Sequence, residues 1–265
     1  MTILLQVFLF CLLLGAFVGF SAGLLGIGGG LLIVPALLYL LPQVGVTAEQ
    51  LPHIAIATSL AAIILTSFSS ARAHQHRKNI NWSLCFRILP GILVGASTSG
   101  FIAELIPAIH LQKAFAVFVI LMAIQMAFPV KLDSARSLPS LPKLVIFSIL
   151  VALIASLMGI GGGVLLVPFL TFYGLQMHNA VGISSVMGLF IALFGSLGYI
   201  IAGWGVQGLP SWTLGYVYLP ALSGIVITSI LMAPVGVKAA TIWPTSVLKK
   251  IFSVLLFGIG LKLML

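Results

Sequence analysis

Two clusters of glycine, each followed at once by a helix-forming apolar run, are the residues of this chain best suited to chemistry. The decapeptide Gly26-Ile27-Gly28-Gly29-Gly30-Leu31-Leu32-Ile33-Val34-Pro35 returns as Gly159-Ile160-Gly161-Gly162-Gly163-Val164-Leu165-Leu166-Val167-Pro168. Eight of the ten positions are identical across an offset of 133 residues in a chain of 265. Glycine is a poor helix former, and a helix restarted after a break begins with unpaired amides and about half a positive charge. Glycine also permits positive φ and a close approach to the backbone. Two such helix starts facing one another would hold a small anion with no buried lysine. The candidate binding residues are therefore Gly26, Gly28, Gly29, Gly30 and Leu31 in the first copy, and Gly159, Gly161, Gly162, Gly163 and Val164 in the second.

Short hydroxyl residues lie about one turn into the next apolar unit of each half: Thr58 and Ser59 in the first, Ser184 and Ser185 in the second. They could donate to the oxygens of an anion, or bond their own helix backbone. His53 and His178 open those units and are candidates for a coupling proton, because imidazole titrates in the physiological range. The alternative for both is a plain interfacial position. Glu104 and Arg87 read as solvated and snorkelling side chains at span ends. No metal-ligand cluster, nucleotide loop or nucleophile–base pair is present, so the reading is a non-enzyme without a cofactor.

The elements that position these residues must be membrane helices. Hydrophobic residues make up 61% of the chain and charged residues 6%, and mean hydropathy is +1.29. A soluble globule of this size cannot hide so much apolar surface. At ~20 apolar residues per crossing, residues 3–20, 54–71, 83–103, 111–128, 145–157, 183–202, 214–237 and 251–265 are span candidates. The net charge of +9 does not indicate a nucleic-acid partner. The cations gather in short loops between spans, at Arg72–Arg87, Lys131–Lys143 and Lys238–Lys250, as on a cytoplasmic face. Cys11 and Cys85 both fall in apolar stretches and imply no disulfide framework. The N-terminal apolar run has no basic residue ahead of it and reads as a retained span rather than a signal peptide.

More anchors extend the duplication. Trp82-Ser83-Leu84 and Leu89-Pro90 match Trp212-Thr213-Leu214 and Leu219-Pro220, and Ala55–Ser59 resembles Ala180–Ser184. Leu111–Phe115 resembles Leu248–Phe252. The expected organisation is a first transmembrane repeat over 1–130, a cytoplasmic linker over 131–143 and a second repeat over 144–265. In the first copy the loop Arg72–Arg87 is basic and the turn near Glu104–His110 is not. In the second, Gly203–Ser211 carries no charge while Lys238–Lys250 is basic. The positive-inside bias flips, as inverted-topology repeats require. An odd number of crossings per half follows if each glycine cluster is the bend of a helical hairpin. The expected fold is therefore all-α and polytopic, with two inverted-topology repeats of about five helices each (8–10 membrane helices). The glycine-bend hairpins lie at the repeat interface and both termini are non-cytoplasmic. Trp82, Trp212 and Trp243 sit beside expected helix ends. Gly15 and Gly19, spaced by four, read as helix-packing residues.

At Gly26–Pro35 and Gly159–Pro168, with support from Ala55–Ser59, the chain resembles the TauE/SafE family, the sulfite exporters or toluene-sulfonate uptake permeases. The resemblance covers nearly the whole chain, although Ile183 stands where the second copy would carry threonine. It implies secondary transport of sulfite or small organosulfonate anions across the cytoplasmic (inner) membrane, as proton-coupled export. The implied partners are that anion and the lipid bilayer, with a homo-oligomer left open and no nucleic acid. The alternatives are uptake of another small solute such as thiosulfate or a carboxylate, and a membrane assembly or sensor subunit whose glycines serve packing alone.

Overall fold

The computed structural model describes residues 2–25, 29–128, 138–242 and 245–264, which form ten α-helices and one small hairpin. Five helices precede the linker: α1 (Thr2–Leu25), α2 (Gly30–Leu40), α3 (Leu51–His76), α4 (Trp82–Glu104) and α5 (Ala108–Ala127). Five follow it: α6 (Leu141–Leu157), α7 (Gly163–Phe172), α8 (Met177–Ala202), α9 (Leu219–Ile242) and α10 (Thr245–Met264). The hairpin, β1 (Thr213–Leu214) and β2 (Val217–Tyr218), precedes α9. Gly26, Gly28, linker residues 131–137 and Trp243 lie outside the described residues.

The protein is an all-α polytopic membrane protein. Among the described residues, six helices are long and apolar enough to cross a bilayer: α1, α3, α4, α5, α8 and α9. Two of the eight expected spans are not among them. The span at 145–157 belongs to α6, a helix of 17 residues, or about 26 Å at 1.5 Å per residue. The span at 251–265 belongs to α10, which carries Lys249, Lys250 and Lys262. The short helices are α2, with 11 residues, and α7, with 10. Each is about 15 Å long, half of a ~30 Å hydrocarbon core.

Local chemistry sets several boundaries. The Asn81 side chain accepts the Leu84 amide at 3.2 Å and caps α4, one of the helix-start bonds that side chains supply. Pro52 opens α3 and Pro142 opens α6, where a missing N–H costs nothing. Gly45, at φ +85°, ends the 3-10 turn Leu41–Val44 after α2.

Packing then joins the two halves of the chain. The largest interfaces pair α1 with α9, α4 with α6, α3 with α8, α4 with α8, and α5 with α10. Each joins a helix before the linker to one after it. Shifting every label by five exchanges α1/α9 with α6/α4 and returns α3/α8 and α5/α10 to themselves. Glycine permits the close approaches. Gly15 lies against Ile225 and Thr228, and Gly19 against Ser229, so α1 and α9 run parallel. Gly91 lies against Val145 and Ser148, and Gly95 against Ile149 and Ala152, so α4 and α6 also run parallel. By contrast α3 and α8 are antiparallel. Ser70 Oγ meets Ser185 Oγ at 2.8 Å, Ser67 stands beside Gly188, and Leu60 beside Gly195.

These contacts forecast a contrast between two glycines. At Gly95 a Cβ would meet the Ile149 carbonyl and come within 3.0 Å of Ala152 Cβ, whereas at Gly258 it would meet nothing within 4 Å. Gly95→Val should lower thermal stability in detergent by about 1–3 kcal/mol. Gly258→Ala should hold it level or raise it by up to ~1 kcal/mol. Fluorescence-detected size-exclusion melting curves measure both.

Candidate functional site at the paired glycine bends

Each short helix starts from a glycine in the left-handed region. Gly29 (φ +75°) precedes α2 and Gly162 (φ +71°) precedes α7, with Gly159 also positive at +66°. An L-residue placed there is strained by roughly 1–2 kcal/mol. The Gly29 carbonyl accepts the amides of Leu32 (3.0 Å) and Ile33 (3.2 Å), and the Gly162 carbonyl accepts those of Leu165 (3.1 Å) and Leu166 (2.8 Å). The two starts are thus built alike, one residue ahead of the Leu31 and Val164 starts expected from sequence.

The bends meet inside the protein. Gly30 packs on the Gly159 carbonyl and on Ile160 Cα, while Gly159 packs on Val34 and on the backbone of Ile56. Ser59 donates its hydroxyl hydrogen to the Gly159 carbonyl at 2.8 Å, tying α3 of the first half to the bend of the second. Ile63 fills the space between them, its Cδ1 2.9 Å from where a Gly30 Cβ would lie and its Cγ2 3.0 Å from that of Gly161. Among the described residues, the amides of Gly161, Gly162, Gly163 and Val164 donate to no backbone acceptor. Gly161 and Gly162 are buried, whereas Gly163 and Val164 are partly open. Gly29, Gly30 and Leu31 are buried in the first copy.

The hydroxyl residues divide into two kinds. Ser59 is committed to Gly159, and Ser185 bonds the Val181 carbonyl at 2.9 Å and faces Ser70. Thr58 Oγ1 accepts the Tyr218 amide at 3.0 Å, anchoring the hairpin to α3. Ser184 is buried on α8, one residue from Ser185. Ser67, buried on α3, has its hydroxyl oxygen 3.6 Å from the Cβ position of Gly161 and 3.4 Å from that of Gly188. Sequence reasoning passed over Ser67 because nothing separates it from the neighbouring Thr66, Ser69 and Ser70 until α8 is packed beside it. Two apolar recesses, of about 350 and 630 Å³, lie between α1, α2 and α10 and between α1 and α2. None of the described bend glycines lines either one.

The two histidines have opposite surroundings. His178 is exposed at the start of α8. His53 is buried, its Nε2 3.0 Å from the Ala103 carbonyl and its ring stacked on Tyr216 at 5.3 Å. Tyr216 Oη donates to Glu104 Oε1 at 3.4 Å. Burial, and then the neighbouring Glu104 carboxylate, push the Tyr216 hydroxyl up to about 12. Tyr199 and Tyr216, which no sequence motif marked, complete this cluster.

Comparison with known proteins adds a family. A family model described as sulfite exporter TauE/SafE matches residues 11–263. A probable membrane transporter protein of Haemophilus influenzae is 40% identical over 260 residues, covering 97% of this chain and 98% of the relative. One of Methanocaldococcus jannaschii is 29% identical over 229 residues, covering 86% and 84%. One of Xylella fastidiosa is 32% identical over 213 residues, covering 77% of each. No solved structure matches significantly.

Two outcomes follow from this geometry. Ser59→Ala leaves the buried Gly159 carbonyl without its side-chain partner and should destabilise the protein by about 1–3 kcal/mol, read from melting curves. Folding raises the Tyr216 pKa, so the stabilisation is whole below the ordinary tyrosine value of about 10 and is lost as pH rises through about 12. Tyr216→Phe, which cannot ionise, should therefore lose less stability than the wild type between those limits in alkaline unfolding.

Proposed function

The chain belongs to the sulfite exporter TauE/SafE family and is a multi-pass membrane transporter; from that premise we propose that it carries sulfite or a small organosulfonate anion out across the inner membrane, with the two glycine bends as the binding site. The observation that carries this reading is the contact of Gly30 with Gly159, which brings two broken helices together in the protein interior. Irregular backbone at such depth is tolerated where protein or a polar cavity covers it, and facing half-helices are a recurrent way to bind a charged guest. The amides of Gly161–Val164, which find no backbone acceptor among the described residues, and the N-terminus of α7 supply positive potential. The buried hydroxyls of Ser67 and Ser184 are candidates for further donors to an oxyanion. Its oxygens would replace the water that those groups lose on burial.

In this reading the halves are inverted repeats with both termini on the non-cytoplasmic face. The flip in loop charge supports it, as do the antiparallel run of α3 against α8 and the exchange of partners between α1/α9 and α6/α4. Alternating access takes a particular form in such a fold. Because α1 packs on α9 and α4 on α6, the bodies that rock are cross-half helix pairs, not the two sequence halves.

Flux into and out of proteoliposomes loaded with sulfite, sulfoacetate, thiosulfate or sulfate, with and without a proton gradient, tests the proposal. Sulfite or sulfoacetate movement stimulated by the gradient is expected. Gly162→Ala should reduce that flux about five- to thirtyfold while the protein still reconstitutes, because about 1–2 kcal/mol of backbone strain falls on the helix start that faces the anion. Carriage of thiosulfate alone would move the assignment to uptake of another solute. Absence of flux for all four under every gradient would overturn it.

A further inference from the structure

One polar cluster lies away from the glycine bends, where the start of α3, the ends of α4 and α8, and the hairpin come together. His53 Nε2 sits 3.0 Å from the Ala103 carbonyl. A carbonyl oxygen can only accept, so in the neutral ring Nε2 carries the hydrogen and Nδ1 holds a lone pair. That Nδ1 is buried without a hydrogen-bond partner, and so is the hydroxyl of Tyr199. His53 is 6% exposed and Tyr199 0%. The ring of Tyr216 lies against both, stacked on His53 at 5.3 Å and edge-on to Tyr199 at 6.4 Å. Its hydroxyl leads outward to Glu104, which is exposed.

The cluster crosses between the halves. His53 and Glu104 come from the first, Tyr199 and Tyr216 from the second. Two further bonds close the same end: Gln50 Nε2 donates to the Gln207 carbonyl at 3.0 Å, and the Tyr218 amide to Thr58 Oγ1 at 3.0 Å. The equivalent end of the other half is looser. His178, the counterpart of His53, is exposed, and α7 is mostly half-buried where α2 is almost wholly buried. The two equivalent ends are therefore packed differently.

We propose that Nδ1 of His53 is a proton-binding site, and that His53, Tyr216 and Glu104 form a gate that is shut while His53 is neutral and opens when it is protonated. A proton on Nδ1 creates a charge and a hydrogen-bond donor at an atom that is buried without a hydrogen-bond partner. Opening lets water reach both. The other titratable groups at this end of the elements packed with it are Glu104 on α4, Tyr199 on α8, Tyr216 and Tyr218 in the hairpin, and His110 and Lys113 at the start of α5, with Glu49 just ahead of α3. Attraction of the imidazolium to the Tyr216 ring face opposes opening. Glu104, exposed and already accepting from Tyr216, is screened by water. The unmet donor decides the sign. This inference deepens the transport reading, since it supplies a coupling proton and a gate to it.

Hydrogen exchange of residues 212–218, followed by mass spectrometry on the protein in lipid nanodiscs at pH 5.5–7.5 and corrected for intrinsic rates, tests the gate without any substrate. One linked proton changes the open-to-shut ratio by at most about tenfold per pH unit. Wild type should approach that loss of protection on acidification. His53→Gln, whose amide can still donate to the Ala103 carbonyl, should show no pH response. Glu104→Gln should keep it. A flat wild-type profile, an unchanged response in His53→Gln, or a response abolished by Glu104→Gln would each overturn the proposal. If His53→Gln does not fold, wild type and Glu104→Gln still decide between these outcomes. Loss of sulfite flux with the exchange response intact would count against the transport reading and leave the gate standing.

Discussion

A helix that stops among apolar helices leaves amides and carbonyls that its surroundings cannot satisfy, and this molecule is arranged around two such stops. The breaks before Gly30 and Gly163 are tolerable because each is covered by protein. Val18 lies over Gly29, Ile191 over Gly162, and Ser59 bonds the Gly159 carbonyl. Glycine at Gly29, Gly159 and Gly162 is required by positive φ, and at Gly30 by the carbonyl pressed against it. The amides after the second break have no backbone partner among the described residues, which is why the proposed binding site is placed there.

Covering two breaks at once dictates how the rest packs. Each bend is covered partly by its own half and partly by the other, and the principal interfaces all run across the linker. Small residues at Gly15, Gly19, Gly91 and Gly95 bring those helices close enough for backbone contact, which stands in for the hydrophobic drive that lipid removes. The glycines of this chain therefore serve two physical ends. Those in long helices shorten interhelical distance, and those in the clusters redirect the chain. Function on this view resides in the small polar set between the halves, because the apolar bulk has no other means of recognising a charged solute.

Conformational asymmetry enters through side chains that have counterparts by duplication but different surroundings. His53 and His178 open equivalent helices, yet one is sealed beneath Tyr216 and the other faces outward. Duplicated sequence relaxed into two unlike environments is what a two-state carrier caught in one state would display. The bonds at the His53 end, through Gln50, Thr58 and Glu104, are few and individually weak. They can be exchanged for water at modest cost, as a gate requires.

Composition alone was enough to identify a membrane protein, because no aqueous globule can hide 61% hydrophobic residues. The repeated decapeptide was enough to locate both helix breaks to within one residue, since three consecutive glycines before an apolar run have few other outcomes. Span counting was less exact: α6 is short and α10 carries lysines, and length and hydropathy do not say which apolar helix crosses alone and which is sheltered. The hydroxyl residues show where reading along the chain ends. Thr58, Ser59, Ser184 and Ser185 look equivalent in sequence, yet one accepts from the hairpin, one holds a bend, one is buried beside the interface and one faces α3. Their roles depend on rotation about helix axes and on which helix of the other half lies opposite. Those are set by contacts a hundred residues or more apart, and the same long-range packing alone gathered His53, Glu104, Tyr199 and Tyr216 into one cluster.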